Sequence, residues 1–121
     1  MLLSLALRFD SITEAVGHAE GRVVVTGSHG GVSSGRFALQ ARPRLAVFND
    51  AGVGKEGAGI AALALLQAAG IGACTVAHSS ARIGDARSTL DEGVISHANA
   101  AALALGIQPG AALRDGLATL A

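Results

Sequence analysis

The sequence predicts a small three-layer α/β domain, a Rossmann-like half with a mostly parallel sheet of three to four strands between flanking helices. Apolar, β-branched runs occur at residues 22–26, 44–48 and 72–77, and stretches of helical pattern long enough to serve as crossovers separate them. Each run is followed directly by a loop crowded with glycine and polar residues: 27–31, 49–57 and 78–85.

Residues 4–9 are a candidate additional strand. Ser11, Ile12, Thr13 and Glu14 form a capping box, in which the Ser oxygen and the Glu carboxylate satisfy each other's orphan backbone donors. It opens a short helix that ends among the glycines of 17–21. After the strand at 22–26, residues 32–41 read as a helix stopped by Pro43, and 44–48 as the next strand. Ile60, Leu63, Ala64 and Gln67 fall on one helical stripe that Gly70 ends, and a strand follows at 72–77. A long polar loop then leads to a helix over 93–105, with Asp91 and Glu92 favouring its start and Gly106 ending it. The tail, 109–121, adds one more short helix. His18 and His97 fall in helical segments, as surface or packing residues.

A chain of 121 residues suits one domain. Only 2% of residues are aromatic, and Trp and Tyr are absent, so the core must be built from Ala, Leu, Val and Ile, each burying little area. Subunit contact supplies missing burial, so a homo-oligomer is expected. Lys and Arg number 9 and Asp and Glu number 9, with no basic run, which argues against nucleic acid. No apolar stretch is long enough for a membrane span. The lone Cys74 cannot form an internal disulfide, and no CxxC or HExxH spacing calls for a metal; with the early Arg8 and Asp10, this reads as a cytoplasmic protein.

Parallel strands place their trailing loops at one carboxyl edge, where open α/β sheets bind ligands. That geometry would gather Ser28, His29, Asn49, Asp50, Lys55, His78, Ser79, Ser80, Arg82 and Asp85. Lys55, the only lysine, sits in the glycine-rich loop ahead of a helix, where free N–H groups and a cation favour an anion. Gly52, Gly54 and Gly57 match GxGxxG, a pyrophosphate loop, and Ser79, Ser80 and Arg82 would suit a 2′-phosphate, but the acidic ribose ligand after the next strand is missing. Gly54 and Lys55 fail a Walker A pattern, because Asn49 stands where glycine is needed and Glu56 where a hydroxyl is needed. Gly31, Ser33 and Gly35 match GxSxG, yet Ser33 stands too far past the strand for a nucleophile elbow.

The function expected from these residues is a small-molecule metabolic enzyme acting on a carboxylate- or phosphate-bearing substrate by acid/base chemistry, with no metal and no cofactor. Arg82 and Lys55 would hold the anion, Asp50 or His29 would move protons, and Ser28 or Ser79 would orient the substrate, with Asn49, His78, Ser80 and Asp85 around it. Two alternatives stand beside it: a ligand-binding or accessory subunit without turnover, and an NADP- or nucleotide-binding domain using Gly52, Gly54 and Gly57.

Overall fold

The computed structural model describes residues 1–121. One sheet carries five strands in sequence order, β1 (Leu7–Phe9), β2 (Val23–His29), β3 (Leu45–Asn49), β4 (Gly72–Val76) and β5 (Ile95–Ala98). β1 to β4 run parallel, and β5 pairs antiparallel to β4. Helices α1 (Val32–Ala41), α2 (Ala61–Ala68), α3 (Ala86–Glu92), α4 (Ala100–Ala104) and α5 (Leu113–Ala118) complete an α/β domain in three layers. No helix is long and apolar enough to cross a membrane.

Alternate strand residues face opposite layers. Val23, Val25, Leu45, Val47, Cys74 and Val76 pack with Leu90, Ile95, Leu113 and Leu117 on one side. Val24, Ala46, Phe48 and Ala73 pack with Ala38, Ala41, Leu63 and Leu66 on the other. Small side chains let the helices close in: a Cβ on Gly35 of α1 would lie 3.1 Å from Cβ of Ala62 in α2.

The capping box forms at Ser11 and Glu14, on a 3-10 turn, Ile12–Ala15. β2 runs beyond its expected end to His29 by bulging: Val25 pairs Val47 and His29 pairs Asn49, four residues of advance against two. The bulge brings Gly27 against the β4–α3 loop, where its carbonyl accepts from Gly84 N at 2.7 Å.

The expected helix over 93–105 is replaced by β5 and α4, and α3 starts at the end of the expected loop. The sheet thus has five strands where the sequence suggested three to four. Asp85 caps α3 by accepting from Ser88 N at 3.0 Å. Gly93 ends it, where any Cβ would collide with Thr89 O and Val76. Asn99 separates β5 from α4 and is bonded throughout: Oδ1 accepts from Ala73 N (3.0 Å) and Ala102 N (2.9 Å), and Nδ2 donates to Leu63 O (3.1 Å) and Ile71 O (3.0 Å). Asp91 and Glu92 therefore lie in the last turn of α3 and not ahead of a helix, and His97 is on a strand.

Two glycines at the carboxyl edge have opposite steric demands. A Cβ on Gly59 would overlap Asp50 O, whereas one on Gly31, in extended backbone, would meet nothing closer than Ala58 O at 3.6 Å. Chemical denaturation should show Gly59→Ala losing about 3 kcal/mol or more, and Gly31→Ala staying within about 0.5 to 1 kcal/mol of the wild type.

Candidate functional site

The loops after β2, β3 and β4 share one edge because the strands are parallel. Their centre is the end of β3. Asn49 is fully buried; its Oδ1 accepts from Ala51 N (2.8 Å) and its Nδ2 donates to Ala81 O (3.1 Å), tying the β3–α2 loop to the β4–α3 loop. Asp50, only 4% exposed, does the same with charge. Its Oδ1 accepts from Gly52 N (2.8 Å) and His78 N (3.0 Å) and lies 3.4 Å from His78 Nδ1. Burial works against the ionised carboxylate, but the Gly52 N–H, the Ser96 hydroxyl, the His78 N–H and the His78 charge outweigh it and hold the carboxyl below its ordinary range.

The imidazole of His78 lies across Gly52, whose Cβ would stand 3.6 to 3.8 Å from the ring, and its side chain is 62% exposed. Nδ1 lies 3.4 Å from the Asp50 carboxylate without forming a hydrogen bond to it, and Nε2 has no protein partner.

The loop between them is strained. Ala51 (φ +52°) and Gly52 (φ +78°) form a tight turn closed by Val53 N donating to Asp50 O at 2.7 Å. Val53 (φ +67°) is the centre of a γ-turn closed by Gly54 N donating to Gly52 O at 2.8 Å, a rare geometry for a β-branched residue. Glu56 and Gly57 also have positive φ, at +57° and +71°. Such backbone persists only where its surroundings over-determine it, and it clusters at functional sites.

Two cavities lie along this edge. On one side, His78, Ser79, Ser80, Ala81, Arg82, Ser88 and Glu92 line a polar groove of about 290 Å³. On the other, His29 and the glycine-rich loop line a cleft of about 370 Å³. His29 and His78 thus face different cavities.

The hydroxyls and carboxylates named from the sequence divide similarly. Ser28 Oγ accepts from Ile12 N at 2.9 Å and lines neither cavity. Ser80 Oγ donates to Ala77 O (2.7 Å) and accepts from Val94 N (3.0 Å), while Asp85 is the cap of α3. Ser79, Arg82 and Lys55 are exposed, and neither cation forms an ion pair. Gly52, Gly54 and Gly57 do not open an α-helix: an irregular 3-10 segment, Lys55–Ile60, follows Gly54, α2 begins only at Ala61, and Ala62 N already donates to Gly30 O at 2.9 Å.

Ser96, Thr75 and Asp10 were not singled out in the sequence. Ser96 Oγ lies 2.8 Å from Thr75 Oγ1, beside Asp50, and Asp10 Oδ1 accepts from Ala86 N at 3.0 Å. Nothing local marks them, because each acts on a distant strand or helix. No three His, Cys, Asp or Glu side chains group to hold a metal ion. Cys74 is buried, and burial pushes its thiol up to about 12, so it has no nucleophilic thiolate at neutral pH. Comparison of this chain with known protein families, characterised proteins and solved structures finds no match.

Because the folded carboxyl of Asp50 titrates below its ordinary value of 3.8, the unfolded chain binds this proton more tightly. Its stabilising contribution is complete above the ordinary carboxylate range and is lost as pH falls through the lowered value. Urea unfolding from neutral pH to about pH 3 should therefore show a smaller acid loss in Asp50→Asn than in the wild type. Equal losses would remove this role for Asp50.

Proposed function

We propose that this protein is a small-molecule enzyme acting on a carboxylate- or phosphate-bearing substrate by metal-free acid/base chemistry in the groove after β4. The observation that carries this reading is the buried Asp50 carboxylate, which accepts the main-chain N–H of His78 and lies 3.4 Å from the same residue's Nδ1. The proton-transfer group is then His78. Asp50, held ionised by its donors, is a weak base and serves as the orienting carboxylate. Nε2 takes a proton from the substrate and returns it after rearrangement or departure of a leaving group, while Asp50 stabilises the transient imidazolium. Arg82 and Ser79 lie in the same groove with unpaired side chains suited to an anion, and Lys55 is a further free cation on the edge.

A second reading, a ligand-binding or accessory subunit without turnover, is favoured by the openness of His78, since acid/base catalysis gains from excluding water. An NADP site has less support, because Glu56 and Gly57 separate the glycine pair from α2. The exposed Leu2 (71%) and Leu5 (52%) support a homo-oligomer, and a single buried cysteine suits a reducing, cytoplasmic setting.

The test is a screen of small carboxylates and phosphate esters for turnover and for thermal stabilisation. His78→Gln should lower kcat about 100-fold or more, and Arg82→Ala should raise KM about tenfold with less effect on kcat. Turnover that survives His78→Gln would overturn the catalytic assignment, and stabilisation by a ligand that is never turned over would favour the binding module.

A further inference from the structure

The cleft beside His29 has a composition of its own. The exposed His29, with Gly31, Val32, Ala51, Val53, Gly54, Ala58 and Gly59, lines an open cleft of about 370 Å³, at the small end of ligand cavities, roughly 300 to 1,000 Å³. Its lining holds no carboxylate, and its one ionisable side chain is His29. Ser34 Oγ, nearly buried, lies 3.4 Å from His29 Nδ1. With that hydroxyl donating to Nδ1, Nε2 carries the proton and is a donor without a protein partner.

Gly31 keeps the cleft open beside His29. Gly30 and Gly59 are glycines because the backbone leaves no room: a Cβ on Gly30 would stand 2.6 Å from Gly59 O, and one on Gly59 would overlap Asp50 O. Gly31 has extended backbone (φ −83°, ψ 177°) that any residue adopts. Its Cβ would make ordinary contacts, 3.6 Å to Ala58 O and 3.7 Å to His29 Cε1 and Nε2. Space and conformation leave room for a side chain there, although Gly31 is also the N-cap of α1, a position that favours glycine over alanine. What a side chain would do is stand between the free edge of the imidazole and the opposite wall. That wall is built from Ala51 and Val53, held at positive φ.

We propose that the cleft beside His29 binds a small carboxylate with a short apolar body, its head on His29 Nε2 and its body between Val32 and the wall of Ala51, Val53 and Ala58. An anion meets no carboxylate in the lining. The four apolar side chains match a body of a few methylenes or one ring. The site shares no residue with the His78 groove and does not rest on the reading of that groove.

Hexanoate and hexanol, titrated into the ¹⁵N-labelled full chain, test it. Hexanoate should give saturable amide shifts confined to residues 29–32 and 51–59, with a Kd on the order of 1 mM. Hexanol should bind at least about tenfold more weakly, and His29→Ala should remove that difference. Gly31→Leu should abolish both while leaving the amide spectrum outside the cleft unchanged; Gly31→Ala, with a smaller loss, serves if the leucine variant fails to fold. Shifts that do not saturate, equal binding of hexanol and hexanoate, or unchanged affinity in the Gly31 variants would overturn the proposal. Hexanoate shifts confined to residues 78–82 would also overturn it, while reporting an occupied groove.

Discussion

The carboxylate of Asp50 is where two loops of the carboxyl edge meet. One oxygen accepts N–H groups from Gly52, in its own loop, and from His78, in the loop after β4. Removing it would take the acceptor from two part-buried N–H groups. The neighbouring Asn49 makes a parallel link to Ala81. These side chains join main-chain bonds such as Asp50 N to Val76 O (2.9 Å) in holding the loops together, and the placement of His78 depends on them.

Close backbone approach is the second condition. Gly59 N donates to Val53 O at 2.6 Å, and Gly59 presses against Asp50 O. With the route of the chain fixed at both ends, residues 51–57 are forced into positive φ at Ala51, Val53 and Glu56, which are not glycine. The resulting turn carries the His78 ring on Gly52 and offers Ala51 and Val53 to the cleft beside His29. A change in the turn would therefore reach both cavities.

The features legible in the sequence are those with local causes. The capping box at Ser11 and Glu14, the helix at Val32–Ala41 and the strands at 44–48 and 72–77 follow from caps, breakers and residue type within a few positions. The alanines of residues 93–105 favour helix, so the sequence alone predicts one there. What makes Ile95–Ala98 a strand is distant: its ladder with β4, the Ser96 to Thr75 contact, and Ile95 packed among the residues of α5. The candidate site divides in the same way. That Asn49, Asp50 and His78 sit at strand ends is readable from residue order. That Asp50 binds an amide 28 residues away is not. Ser28 and His29 are adjacent and point apart, as neighbouring residues of a strand do, which sends Ser28 to Ile12 and His29 to the cleft.

The most direct measurement of the account is an NMR pH titration of the Gly52 and His78 amide protons. If the Asp50 carboxylate holds the two loops together, both amides shift with one common midpoint below the ordinary carboxylate value, and both lose that response in Asp50→Asn. Separate midpoints, a midpoint at or above the ordinary value, or an unchanged response in Asp50→Asn would contradict it.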